Sequence, residues 1–345
     1  MGIFQIIMFK NKIKISNLRS DYISKNINKV FIIAEAGISH FGSLLKAKRL
    51  VDLAKNSGAD AIKFQAYLTE ELVSKKYKSW FVRYKKKETN FEFYKDINKY
   101  CKKKNIQLLL TPHSETAITW IQKLNLPLVK VGSGEIHNFD FIKKISKLKK
   151  PLIISTGMHE KKDLLNLKKF LIEEKIYNVC FLKCITLYPT PIELINIVSF
   201  TNFKKILSPA IVGYSDHSDN DLSILSSVAL GAKIIEKHIS LDFNVKNAQD
   251  WKVSHNLEKM SKLVKDIRIL EKIMGSNDLK ISNKEKNSKI WATRSIHAKE
   301  NIKKGEKFNL QNICLLRPGN GINPKKFKSI IGKKSKKNYK IYDQI

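Results

Sequence analysis

Residues 211–238 read IVGYSDHSDNDLSILSSVALGAKIIEKH. A short β-branched run at 211–214 gives way to polar residues. A periodic apolar stretch follows at 221–230, and a second apolar run at 234–236 again ends in polar groups. This reads as strand, crossover helix, strand, because two parallel strands need a long connection and a helix supplies it. The runs do not alternate apolar with polar, which fits strands covered on both faces. The pattern extends back along the chain. Apolar runs at 30–33, 61–64, 107–110, 128–131, 152–154 and 179–182 are separated by helical stretches that include 43–56, 92–104, 114–124 and 163–174. Eight strands in this alternation predict an α/β fold, a (β/α)8 TIM barrel, over an open doubly wound sheet; no GxGxxG follows the first run.

The barrel domain is expected over 1–281, with 1–28 as an N-terminal extension that adds a strand pair at the barrel bottom. A polar segment, 282–289, reads as a linker. A small mixed domain, 290–345, is punctuated by Gly305, Pro318, Gly319, Gly321 and Pro324. A domain of that size leans on another surface for stability. The 345 residues are 43% hydrophobic, enough for a sizeable core, and carry a net charge of +34. The lysines are dispersed, as at 143, 144, 147, 149 and 150, so they read as a solvated surface that can gather anions, with no nucleic acid as partner. No apolar run reaches the ~18 residues of a membrane span, and no membrane partner is expected. The start has no basic segment or cleavage site, and Ile6 stands where myristoylation needs Ser or Thr. Four scattered cysteines read as free thiols, and together these features predict a cytoplasmic protein.

Polar residues collect where the strands end. In order they are Glu35; Lys63 and Gln65; Thr111; Lys130, Ser133 and Glu135; Ser155 and Thr156; Thr186 and Tyr188; Ser215, Asp216 and His217; and Glu236 and His238. A barrel brings these ends to one face, where its active sites are built. Lys63 and Lys130 lie inside core-like runs, and a buried lysine is costly unless an anion faces it. With the hydroxyls of Thr111, Ser133, Ser155 and Ser215 they form a cradle for a phosphate and a carboxylate. Two alternatives stand beside it: pairing with a barrel acid such as Glu35 or Glu135 for structure alone, or a Schiff-base lysine. His217 and His238, 21 residues apart on adjacent strand ends, suit a divalent metal with open positions; a hydrogen-bonding or acid–base role is the other reading. His40, His113, His137 and His255 read as structural.

The blocks IIAEAGISHFGS, GADAIKFQAY, VKVGSGEIHN, ISTGM, CITLYPTP, VGYSDHS, GAKIIEKHISLD and LLRPGNG occur in order. Together they resemble the signature of the sialic acid synthase family, which includes N-acetylneuraminate, legionaminate and pseudaminate synthases. The resemblance implies condensation of phosphoenolpyruvate with an N-acylated aldose, such as N-acetylmannosamine, to give a nine-carbon 2-keto sugar acid and phosphate. It implies that His217 and His238 hold Mn2+, with Mg2+ or Co2+ as alternatives. Lys63, Gln65, Thr111, Lys130, Ser133, Ser155, Thr186 and Ser215 would then hold phosphoenolpyruvate. Glu135 would serve as catalytic acid/base with Glu35 as a second carboxylate, and Tyr188, Asp250 and Arg317 would contact the sugar. The tail resembles the antifreeze-like (SAF) domain, whose arginine, here Arg317, enters the partner's barrel mouth in a domain-swapped homodimer. The chain departs from the family pattern at Ser39, Phe41, Thr186 and the NAQD before Trp251, and its 74–90 stretch is short and basic. These changes fall mainly on the sugar side. Two other readings are another metal-dependent barrel synthase or aldolase using phosphoenolpyruvate or pyruvate, and a non-catalytic polyanion-binding protein.

Overall fold

The computed structural model describes residues 29–245 and 250–345; the strand pair expected within 1–28 lies outside them. Eight strands form one parallel sheet: β1 Phe31–Gly37, β2 Ala61–Ala66, β3 Gln107–Pro112, β4 Val129–Val131, β5 Leu152–Ser155, β6 Val179–Cys184, β7 Ile211–Asp216 and β8 Ile234–His238. The hydrogen-bonded order is β3-β2-β1-β8-β7-β6-β5-β4. The two margins, β3 and β4, lie side by side, so the sheet curls into a nearly closed barrel. This is the predicted (β/α)8 architecture.

Most strands run further toward their C-terminal ends than the apolar runs suggested. Hydrophobicity stops at the first charged residue, whereas the backbone ladder continues past it: Glu35 still pairs with Lys63, and Gln65 with Thr111. Side chains alternate across a strand, and the core separates accordingly. One cluster inside the barrel contains Phe31, Ile33, Ala61, Leu109, Leu128, Ile153, Leu182 and Ile234. A larger one, with Ile32, Ala34, Ile62, Leu110, Val129, Ile154 and Phe181, packs against the helices. The inward residues therefore change character along each strand, from apolar at the start to polar at the end. On β1 they are Phe31, Ile33 and Glu35; on β2, Ala61, Lys63 and Gln65; on β8, Ile234, Glu236 and His238. Gly213 on β7 is required by this packing, since a Cβ there would sit 2.2 Å from the Ile234 carbonyl oxygen.

The outer helices are set by ordinary caps. Ser43 precedes Leu44–Asn56, Asn90 precedes Phe91–Lys104 and Ser114 precedes Glu115–Leu124, each side chain accepting from a first-turn amide. The apolar face of Leu44–Asn56, with Leu50 and Val51 fully buried, closes over the sheet; truncating such a leucine costs about 2–5 kcal/mol. The short basic stretch 74–90 contains a helix, Lys78–Lys85.

Contacts divide the chain into two units at Gly275 and Ser276. The second contains an antiparallel pair, β9 Ser295–Ala298 with β10 Ile313–Leu316. Its own small core is built from Ile296, Ile302, Phe308, Ile313 and Ile330. The polar segment read as a linker is instead the start of a helix, Asn283–Ala292, capped by Ser282, whose Oγ accepts from the Glu285 amide at 3.0 Å. Polarity all round hid it, because the helix buries no residue. Among the described residues no helix is long and apolar enough to cross a membrane.

Candidate active site

The β1 register sets Glu35 opposite Lys63 on one side and His238 on the other. Glu35 Oε2 meets Lys63 Nζ at 3.0 Å. Lys63 also donates to Thr111 Oγ1 at 3.0 Å and lies 3.5 Å from Glu236 Oε2. Glu236 accepts from Ser215 Oγ at 2.9 Å and stands 3.9 Å from Lys130 Nζ. Lys130 donates to Ser155 Oγ at 2.6 Å and to the Val131 carbonyl at 3.1 Å. None of these four charged residues is more than 4% exposed. Lysine pairing and an anion cradle are thus not exclusive readings: Lys63 is partnered by Glu35, whereas Lys130 has only the more distant Glu236.

The electrostatics follow from this asymmetry. Burial disfavours charge on Lys63, but Glu236 and Glu35 outweigh it and hold the ammonium above its usual range. For Lys130 burial wins over the pull of Glu236 and brings it down to about 8. Burial raises the Glu35 carboxyl against the attraction of Lys63. It opposes ionisation of Glu236 as well, yet Lys130 and Lys63 together keep that carboxylate below its ordinary range.

Beside this cluster, Ser133 Oγ accepts from the Gly157 amide at 2.9 Å. A Cβ at Gly157 would lie 2.2 Å from Thr186 Oγ1 and 2.9 Å from Ser133 Oγ, so the glycine leaves both hydroxyls room. Thr186 Oγ1 is buried without a hydrogen-bond partner. Gln65 donates to Glu35 Oε1 at 3.2 Å. A Cβ at Gly37 would fall within 3.6 Å of Glu35, Asp250 and Gln65, which places these three side chains around one point.

His217 and His238 have ring centroids 5.2 Å apart, and the Tyr188 ring lies 4.0 Å from His217 and 5.8 Å from His238. His217 Nδ1 bonds the Ile185 carbonyl at 2.6 Å, with Cys184 Sγ at 3.6 Å. That contact orients the ring; burial opposes charge on it, but Cys184 and the Ile185 carbonyl hold it above its usual range, and a bound cation would displace the Nε2 proton. His238 is held neutral, well below its usual range, by burial and by His217, and its Nδ1 is buried with no partner. The oriented His217 ring and the neutral His238, with its orphaned nitrogen, fit a divalent ion. Among the described residues no group of three or more His, Cys, Asp or Glu converges on such a point, so oxygens of substrate and water would complete the shell.

Other expected residues fall elsewhere. Glu135 sits on the rim in a turn after β4, accepting from Asn138 Nδ2 at 2.7 Å, with His113 Nδ1 at 3.7 Å; it partners neither lysine. Asp216 faces the helix layer, where it accepts from Lys237 Nζ at 2.6 Å and from Ser223 Oγ at 2.7 Å. Arg317 is exposed in the C-terminal unit, directly after β10.

A cavity of about 210 Å3 opens beside His238, and its lining includes Phe41, Gln65, Arg83, Lys87, Tyr188 and Asp250. Sequence reading missed Arg83 and Tyr84, on the helix Lys78–Lys85, and Lys87 just beyond it, and gave Glu236, though seen at its strand end, no role in the site. Period two had the signal for the latter: two residues before His238, Glu236 must share its face.

Comparison with known proteins gives a consistent picture. The sequence profile of the NeuB family matches residues 50–279. The chain is 36% identical to N,N'-diacetyllegionaminic acid synthase of Campylobacter jejuni, over 91% of this chain and 98% of that one. It is 33% identical to the pseudaminic acid synthase of the same species, over 92% and 95%. The crystal structure of N-acetylneuraminic acid synthetase from Leptospira borgpetersenii, in complex with citrate, aligns with a TM-score of 0.71 at 29% identity, covering 75% of this chain and 90% of that one.

Proposed function

The chain belongs to the NeuB family, and we propose that it condenses phosphoenolpyruvate with the open-chain aldehyde of an N-acylated sugar, yielding a nine-carbon 2-keto sugar acid and phosphate. The observation that carries this reading is the meeting of Lys63, Lys130 and their hydroxyl partners with the His217–His238 pair at one end of the barrel.

In this reading Lys63, Lys130, Thr111, Ser133, Ser155, Thr186 and Ser215 bind the phosphate and carboxylate of phosphoenolpyruvate, with Gln65 alongside. The unpartnered Thr186 hydroxyl and the weakly compensated Lys130 support it, since both await an acceptor or an anion. The four buried charges balance as two of each sign, so a multiply anionic ligand needs further positive charge nearby. His217 and His238 would hold a divalent ion, Mn2+ for preference, that polarises the aldehyde oxygen. The chain's own work is to align the enol carbon with the aldehyde carbon, so that a carbon–carbon bond forms while the enol oxygen stays on its phosphate. Glu35 and Glu236 stabilise the cation that develops at the former enol carbon. Water adds at that carbon, and the carbon–oxygen bond to phosphate then breaks to leave the ketone. Glu135, with Glu35 as the second carboxylate, moves the protons of these steps. Tyr188 and Asp250 position the sugar. Arg317 from a second copy of the chain completes the mouth in a swapped homodimer, and the enzyme works in the cytoplasm.

Full-length protein supplied with Mn2+, phosphoenolpyruvate and a panel of neutral and charged N-acylated hexoses should release inorganic phosphate and give a product whose mass is that of the sugar plus pyruvic acid. Absence of phosphate release across the panel would overturn the assignment.

A further inference from the structure

We propose that the acceptor sugar carries an anionic group, a phosphate or a carboxylate, on the part remote from its aldehyde, and that Arg83 and Lys87 grip it. The inference rests on the synthase reading and narrows its substrate class.

The cavity beside His238 has two chemically distinct sides. Toward the barrel it is lined by Gln65, Tyr188, His238 and Asp250, the groups that would face the reacting end of the sugar. Away from it stand Phe41, Arg83 and Lys87. These same three residues, with Trp80 and Lys86, also line a wider hollow of about 620 Å3, so the cavity opens outward along the basic side. Arg83 is on the helix Lys78–Lys85 and Lys87 lies just beyond its end, so the two project from one short structural unit.

Both cations are half-buried, and among the described residues neither makes a hydrogen bond or an ion pair. The Lys87 ammonium lies 5.2 Å from the centre of the Phe41 ring, which supplies only a weak partner. Burial and the neighbouring Arg83 both depress Lys87, and the pull of Asp250 only partly offsets them, so the two positive charges work against each other. Asp250 is the carboxylate in the lining; besides closing around Gln65 and Glu35 it attracts both Lys87 and Arg83, one buried carboxylate against two cations. A surface lysine means little in a chain this basic. Arginine is another matter, since the chain has only six, and here one is set beside a lysine inside a cavity.

A neutral hexose presents hydroxyl groups, which neutral or acidic side chains can satisfy. It gives no return for holding two repelling cations partly out of water. A phosphate or carboxylate removes the repulsion and offers an acceptor to the guanidinium fork and a counter-charge to the ammonium. Arg83 and Lys87 line the outward hollow as well, which His238 does not, and this puts that anion at the end away from the carbonyl.

The test uses the full chain with Mn2+ and phosphoenolpyruvate, reading phosphate release with N-acetylmannosamine, N-acetylmannosamine 6-phosphate and N-acetylmannosaminuronate as acceptors. At least one charged acceptor should exceed the neutral sugar in kcat/KM by about tenfold or more, as expected for one added charged contact, and the better of the two identifies the anion. In Arg83→Gln and in Lys87→Gln the ratio of charged to neutral kcat/KM should fall about tenfold, through KM for the acceptor rather than for phosphoenolpyruvate. A neutral sugar used as well as both charged ones, or variants that lower all acceptors in proportion, would overturn this inference while leaving the synthase reading intact. Silence with every acceptor would remove the synthase reading and this inference with it.

Discussion

Lys130 Nζ and Glu236 Oε2 stand 3.9 Å apart, with side chains only 2% and 5% exposed. At that distance the carboxylate supports the ammonium without fully offsetting its burial, and Lys130 titrates at about 8. The sign is fixed by the charge on lysine. Lys130 is positive below about pH 8 and loses that charge as pH rises through it. We predict that kcat/KM for phosphoenolpyruvate has an alkaline limb near pH 8, and that the limb moves upward in kcat, because a bound anion favours the protonated amine. Lys130→Arg, whose guanidinium does not deprotonate, should lose the limb to whatever extent it retains activity. A wild-type profile flat from pH 7 to 9.5 would contradict this.

Glu236 raises Lys130 and is itself held ionised by both lysines. Glu236→Gln should therefore move the alkaline limb to lower pH and reduce kcat/KM at pH 7 by about tenfold or more, the scale of one lost charged contact. Stopped-time phosphate assays across pH give both numbers. An unshifted limb would show that Lys130 does not feel this carboxylate.

Gly157→Ala tests the pocket formed with Ser133 and Thr186. Its new methyl group would lie 2.2 Å from Thr186 Oγ1, so that hydroxyl must move. The expected result is a rise of about tenfold in KM for phosphoenolpyruvate, consistent with loss of one to two hydrogen bonds, and a thermal midpoint near that of the wild type. Adding Thr186→Ala should recover part of the space but not the hydroxyl, so KM should stay raised.

Lys237 provides a contrast. Fully buried and bonded to Asp216 and to the Ser218 carbonyl, it points away from the barrel interior. Lys237→Met leaves Asp216 uncompensated and should cost about 3–5 kcal/mol of stability, seen as an earlier urea midpoint. Wild-type stability in that variant would mean the pair is dispensable.

His238→Ala should lower Mn2+ retained after gel filtration, measured by elemental analysis, and reduce turnover in parallel. Full retention of the ion would remove His238 from the metal site.

The sequence disclosed the barrel because alternation is a long-range regularity that individual residues cannot easily disguise. The strand-end lysines were legible for the same reason: a charge inside an apolar run stands out. Three features were not. Glu236 reads as the last residue of a short run, with no role given to it, although the ladder continues to His238 and sets both on one face. Arg83 belongs to a helix with no buried residue and Lys87 lies just beyond it, so no apolar stripe marked them. Asp216 and His217 are neighbours on the chain, but the pleat turns one outward to Lys237 and the other toward Tyr188; composition at a strand end does not say which face a residue takes.

The margins of the sheet have a mechanical consequence. Thr111 ends the β3 margin and Lys130 lies on the β4 margin, where the described residues form no ladder between the two strands. A phosphorylated enol gripped by both would act as a clasp, fastening the barrel along the line where its own backbone leaves it unstitched. Substrate binding would then tighten the scaffold as well as fill it.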